Sequence, residues 1–195
     1  MKTIEIELTG VTPYLQHRMT EDQLLSLLGA KTKQNKDKEA KTPREIAAPH
    51  AYRNPKTKEF YAPAEHICGA VASVASDYKQ SNSVKRSLKS VARSVFRPVT
   101  GEILLLGSDN KPLKDFEVDI RKGTNHTKGA VAICRPRFDQ WKLRFEATVS
   151  NDLVSIETMH QILEDAGKRS GIGAFRVSKG GIFGQFRVTK FKTKV

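Results

Sequence analysis

The chain is short of cysteine, of acidic residues and of long apolar runs, and each shortage closes off a class of protein. Two cysteines are present, Cys68 and Cys134, each in an apolar setting (Ile67-Cys68-Gly69 and Ala132-Ile133-Cys134). Two such thiols do not make a secreted disulfide framework and read as reduced core residues. No apolar run approaches the ~18 residues of a spanning helix. The opening Met1-Lys2-Thr3-Ile4-Glu5-Ile6-Glu7-Leu8 is strand-like and has no signal-peptide core, so a soluble, cytoplasmic protein without a membrane partner is expected. A Walker loop and a nucleophile elbow are both missing. His50, His66, His126 and His160 have no metal-ligand spacing and no cysteine pair beside them, so neither metal nor cofactor is expected. The 21 acids face 34 Lys and Arg, giving a formal charge of +13. Such an imbalance points to an acidic partner.

What is abundant sits near the C-terminus. The sixteen residues Gly171 to Phe186 hold five glycines, three phenylalanines, Arg176 and Lys179, and from 168 onward there are eight Lys or Arg and no acid. Glycine lets a backbone enter positive φ and lets another backbone approach. A glycine-rich loop with cations and interleaved rings suits single-stranded nucleic acid, a polyanion with flat bases. The plainer reading is a glycine hairpin that closes a sheet.

Ile4, Ile6 and Leu8 alternate with charged residues and predict a first strand over 2–9. Residues 21–29 carry a leucine-rich helical turn or two. The segment 31–58 has nine Lys or Arg, three acids and three prolines without apolar periodicity, which predicts a flexible basic insertion. Ile67, Ala70, Val71, Val74, Ala75 and Tyr78 fall on one face of a core helix over 65–78. Val84, Leu88, Val91, Ala92 and Val95 suggest a second helix, whose other side carries Lys85, Arg86, Lys89 and Arg93 as a solvated or a phosphate-facing surface. Strands are predicted at 101–106 and 141–149. A hairpin pairs 116–120 with 131–133 across a donor-rich tip at 121–128, and Ser155 caps a helix ending at Gly167. A final strand covers 182–192. Without insertions at 31–58 and 80–135, this is a single α+β domain over 1–195. Its βαββαβ core is ferredoxin-like or RRM-like, with a C-terminal glycine-rich loop and an open sheet face free for a ligand.

Three features in this order resemble the RAMP superfamily, the RRM-like proteins of CRISPR ribonucleoproteins. They are the strand ending in Gly10-Val-Thr-Pro13, the phrase Asn54-Pro-Lys-Thr-Lys-Glu-Phe-Tyr-Ala-Pro-Ala-Glu-His-Ile-Cys-Gly-Ala70, and the loop Gly171-x-Gly to Gly-Gly-x-x-Gly184. The chain looks most like the subunits that polymerise along guide RNA. The resemblance implies single-stranded RNA, further copies of the chain and other ribonucleoprotein subunits as partners, with the glycine loop beside the RNA. Two positions depart from the pattern. Ala64-Glu65 stands where relatives have small hydroxyl residues, and Ala174 where many have a cation. The Arg135-Pro-Arg-Phe138 to Trp141 and Ala166-Gly to Phe175-Arg176 phrases also resemble uncharacterised bacteriophage proteins, which implies single-stranded DNA binding in recombination as an alternative.

The residues assigned to nucleic acid are Arg18, Lys31, Lys33, Lys41, Arg44, Arg53, Lys85, Arg86, Lys89, Arg93, Arg121, Lys122, Lys168, Arg169, Arg176 and Lys179, with Gly171, Gly173, Gly180, Gly181 and Gly184. The chain is read as a binding protein, not an enzyme. Some RAMP relatives cleave RNA with a histidine after the first strand, and His17, beside Tyr14 and Arg18, is the candidate base for a metal-independent endoribonuclease. Others use an aspartate, for which Asp22 and Asp37 are the candidates.

Overall fold

The computed structural model describes residues 1–29, 41–124 and 129–194. Its strands are β1 (Lys2–Gly10), β2 (Tyr14–Leu15), β3 (Tyr61–Pro63), β4 (Lys79–Gln80), β5 (Ser83–Ser87), β6 (Phe96–Pro98), β7 (Glu102–Leu106), β8 (Glu117–Thr124), β9 (Ala130–Phe138), β10 (Lys142–Val149) and β11 (Phe186–Thr193). The helices are α1 (Glu21–Leu27), α2 (Pro43–Ala47), α3 (Ala64–Val74), α4 (Ala92–Val95) and α5 (Ile156–Asp165). No described helix is long and apolar enough to cross a membrane.

Strict alternation in β1 buries Ile4, Ile6 and Leu8 completely, each burial being worth about 1.5–3 kcal/mol. β1 lies between β10 and β11, antiparallel to both, with Ile6 opposite Phe145 and Phe191. The far side of β10 is met twice: Phe96 of β6 pairs with Val149, and Leu105 of β7 with Leu143. The second core strand is thus interrupted at Val99-Thr100-Gly101, although Val99 N–H still donates to Glu146 O at 2.8 Å. In core numbering the strand order is 4-1-3-2, the antiparallel sheet of a ferredoxin-like α+β fold, with β3 added on the edge of β7. α3 buries Ile67, Ala70, Val71 and Val74, and α5 buries Met159, Ile162 and Leu163, against one face of this sheet.

The opposite face differs from the expected ligand platform. Glu7 pairs with Arg144 at 2.6 Å, Glu5 with Lys190 at 2.6 Å, and Glu146 with Lys194. The outward positions of β1, β10 and β11 carry no aromatic ring on which a base could stack. The three glutamates of this face are paired, and Arg187 opposite Thr9 and Lys192 opposite Glu5 leave it some positive charge.

Three local expectations are corrected. The amphipathic pattern at 84–95 is not one helix: β4 and β5 form a hairpin that leaves Val84 87% exposed, followed by a 3-10 turn and the short α4. Serines mark the breaks: Ser83 Oγ accepts from Arg86 N, and Ser87 Oγ caps the 3-10 turn by accepting from Lys89 N. The last helix does not end at Gly167. There a Cβ would lie 2.1 Å from Phe186 O, so the glycine permits contact with β11, and a π turn (Ala166–Ser170) carries the chain on to Gly171 at φ +69°. The β8–β9 hairpin is longer than predicted, which puts Arg121 and Lys122 within a strand and not at a tip.

Within the segment 31–58, residues 41 onward are described and folded. Thr42 and Glu45 form a capping box with Pro43 at the first helical position of α2, and Ala47 is buried. α1 is capped by Thr20 and buries no residue, so Leu24, Leu25, Leu27 and Leu28 face solvent.

Candidate nucleic-acid interface

The site begins where β1 leaves the sheet. Trp141 Nε1 donates to Thr12 O at 2.9 Å, and the chain then enters β2, where Tyr14 pairs with Phe138 and Leu15 with Arg137. The glycine loop is laced onto this short strand: Gly184 N–H donates to Pro13 O at 2.8 Å, and Ala174 N–H to Leu15 O at 2.9 Å. At Gly173 (φ +80°) a Cβ would come within 2.4 Å of Leu15 O, and at Gly184 (φ +72°) within 1.9 Å of Ile172 O. These glycines therefore serve close approach of the chain's own backbone, whereas the sequence suggested a ligand's. Gly171 and Gly181 are similarly hemmed in by backbone, and Gly180 alone of the five has open space around it.

The loop's side chains dock on the β8–β9 hairpin. Arg121 places its guanidinium carbon 5.1 Å from the Phe175 ring centre and 4.8 Å from that of Phe183, a pair of cation–π contacts. The buried Asp119 accepts from Arg121 Nε at 2.9 and 3.0 Å. Opposite Asp119 in the ladder lies Arg135, whose Nε is buried without a hydrogen-bond partner among the described residues. Arg121, Lys122, Gly123, Ile133, Arg135 and Phe175 line a cavity of about 450 Å³. Phe175 has φ +51° and is 41% exposed.

Beside the loop stands a cluster of rings. Tyr14 Oη lies 2.8 Å from His66 Nδ1, and the Tyr52 ring meets His66 edge-on at 5.5 Å. Gln16 secures the neighbouring backbone by donating to Tyr61 O and accepting from Tyr52 N. Burial, and secondarily Arg176, pushes His66 down to about 4. His17 stacks on His50 at 4.5 Å. Desolvation first, then His50 and Arg135, lowers His17 to about 4 as well. His50 is held by its own bond, since Nδ1 lies 2.7 Å from Arg18 O and must donate to that carbonyl.

The structure sorts the sequence's candidates into three groups. Arg18, Arg121, Lys122, Arg176, Lys179 and the glycines gather at the end of the sheet where Gly10 meets Trp141, and Lys168 is tied to that end by its carbonyl, which accepts from Gln185 Nε2. Arg176 is partly committed to the loop itself, donating to Gly173 O and Ser178 Oγ at 3.0 and 3.1 Å. Lys41 and Asp22 line a separate cavity with Arg18 and Glu45. A second group is engaged elsewhere: Arg44 on Asp115 and the Phe116 ring, Arg53 on Lys58 O and the Phe60 ring, and Arg169 on Asp77 and Asp165. The third group is remote. Lys85, Arg86 and Lys89 belong to the β4–β5 region, which joins the chain at Leu153, beyond the end of the sheet where Lys2 faces Val149, and Arg93 lies on α4 just before β6. The nine residues of β1 separate that end from the glycine loop by about 30 Å. Lys31, Lys33 and Asp37 lie outside the described residues. Sequence reasoning missed Arg135 and His50. The cross-strand register that sets Arg135 against Asp119 was the one signal that could have found the arginine. Among the described residues, no three His, Cys, Asp or Glu come together as a metal site.

Fold and site together define a ferredoxin-like α+β protein with a cationic, ring-bearing edge. No family model and no curated protein matches the chain. Among solved structures it is similar to a chain in the cryo-EM structure of the Type III-B Cmr-beta bound to cognate target RNA, with a TM-score of 0.53 and 12% identity. The likeness covers 98% of this chain and 60% of that one, so the chain spans about three-fifths of its neighbour's length. At this identity the likeness is one of fold.

Proposed function

We propose that the chain holds single-stranded RNA by its phosphates, as a RAMP-like backbone subunit of a CRISPR-type ribonucleoprotein, and that it binds the strand without cutting it. The observation that carries this reading is the edge formed by the glycine loop and the β8–β9 hairpin, where Arg121 and Arg135 flank an exposed phenylalanine and Lys122 adds a cation on the hairpin's other face. Phosphate neutralisation by cations and base stacking on rings are the two components of single-strand binding. The fold likeness to a chain of an assembly described as bound to target RNA agrees with it. The open sheet face, which offers no ring for a base to stack on, is the poorer surface for a single strand. Partners in this reading are RNA, further copies of the chain along it, and other subunits of the particle.

Binding without cleavage agrees with the state of His17. A base held near 4 is weak at neutral pH, where general-base catalysis favours a pKa close to the working pH. The deciding experiment is filter binding of single-stranded RNA, single-stranded DNA and duplex to the purified protein across a salt series. Tighter binding to single-stranded RNA supports the proposal. Preference for DNA supports the phage-type alternative, and preference for duplex overturns both.

A further inference from the structure

We propose that the cavity between the β8–β9 hairpin and Phe175 is a nucleotide subsite, which takes one phosphate on Arg135 and stacks the attached base on Phe175. This rests on the single-strand reading above and deepens it, because it turns a diffuse basic edge into one built pocket.

Four observations converge on the cavity. Its charge is unbalanced, with Arg121 and Arg135 on one face of the hairpin against one carboxylate among the described residues, that of Asp119, which accepts from Arg121 Nε. Arg135 is held across the ladder from Asp119 with its Nε buried and unpartnered among the described residues. A buried donor of a charged group is costly to leave unpaired, and the planar guanidinium fork matches phosphate geometry better than any other side chain. The volume, about 450 Å³, falls in the range of small-molecule sites, roughly 300–1,000 Å³.

The fourth observation is Phe175. A bulky residue at positive φ is a backbone outlier, and such outliers persist only where the surroundings over-determine them. Two contacts do so here. Gly181 approaches so closely that its Cβ would stand 1.6 Å from Phe175 O, and Arg121 lies against the ring. The result is an aromatic ring held at the pocket wall and 41% exposed, where a fully buried ring would have packed into the core. Arg121 therefore positions the ring, while Arg135 meets the anion.

A phosphate could arrive as an internal diester of a strand or as a terminal monoester, and calorimetric titration of the whole protein at low salt separates the two. The probes are inorganic phosphate, adenosine 5′-monophosphate and the dinucleoside monophosphate ApA. Adenosine monophosphate should bind at least tenfold more tightly than inorganic phosphate. Arg135→Gln should lose tenfold or more of that affinity, and Phe175→Ala should reduce the nucleotide to the affinity of phosphate. Lys122→Ala, on the opposite face of the hairpin, should bind like wild type. ApA binding as well as the monophosphate identifies an internal diester, and preference for the monophosphate identifies a strand end. The subsite is overturned if neither nucleotide binds more tightly than phosphate, if Arg135→Gln binds like wild type, or if Lys122→Ala loses as much affinity as Arg135→Gln. That failure is distinct from failure of the functional reading, in which long single-stranded RNA would also go unbound.

Discussion

Tyr14 Oη lies 2.8 Å from His66 Nδ1, and this bond ties the end of the first excursion from the sheet to the first turn of α3. Burial holds the imidazole neutral, which leaves Nδ1 able to accept from the phenol. Burial raises the Tyr14 phenol, which keeps it a donor at every physiological pH.

The pair makes stability depend on pH. His66 titrates near 4 in the folded protein and near 6.5 in an unfolded chain. The unfolded state therefore takes up the proton first as pH falls. The stabilisation is complete above about 6.5, shrinks by up to about 2 kcal/mol by pH 5, and is gone near 4. Urea midpoints at pH 7 and pH 5 should show the loss, and His66→Gln should reduce it without abolishing it, because His17 is lowered to about 4 as well. An unchanged slope in that variant would show that other groups carry the acid response.

The loop glycines divide by their surroundings. Gly173→Val and Gly184→Val combine positive φ with a backbone clash and should each cost about 3 kcal/mol or more. Gly180→Ala, at φ +74° with nothing within 4 Å, should cost only about 1–2 kcal/mol. Thermal melts of the three variants check this, and equal losses at 180 and 184 would contradict it.

Arg176 and Lys179 should separate as well. Lys179→Ala should weaken RNA binding at unchanged melting temperature, because an exposed charge contributes about 0–1 kcal/mol to folding. Arg176→Ala breaks two bonds inside the loop. It should therefore destabilise the protein by about 1–3 kcal/mol in addition to weakening binding.

RNA affinity should be sequence-tolerant, with log K falling against log[salt] by roughly 0.7 for each phosphate neutralised. For an oligonucleotide too short to span the sheet, the triple change Lys85→Ala, Arg86→Ala and Lys89→Ala should leave affinity unaltered, since those cations sit at the opposite end of β1. A flat salt response, or a large loss in the triple variant, argues for a different surface.

His17→Ala should bind RNA like wild type, and neither protein should cut it. Defined cleavage by wild type that disappears in the variant would establish the ribonuclease reading instead.

The sequence by itself determined the sheet and the helices that cover it. Period-two burial in β1 and β10 and the helical spacing from Ile67 to Val74 are local patterns, set by which side of an element must leave water. It also determined that one end of the chain is cationic, glycine-rich and ring-bearing. It misjudged 84–95, where an apolar repeat that looked helical is split between a hairpin, a 3-10 turn and a short helix, and it overlooked Arg135, whose meaning depends on what stands across the ladder. Tertiary structure alone decided which cations meet and which are spent. Arg44, Arg53 and Arg169 resemble Arg121 in sequence, yet each finds its partners in a different place. The basic cluster at 79–97 lies at the far end of the sheet from the glycine loop. Charge is read residue by residue along the chain, but pairing and distance belong to contacts between segments far apart in sequence, and a local pattern carries no record of them.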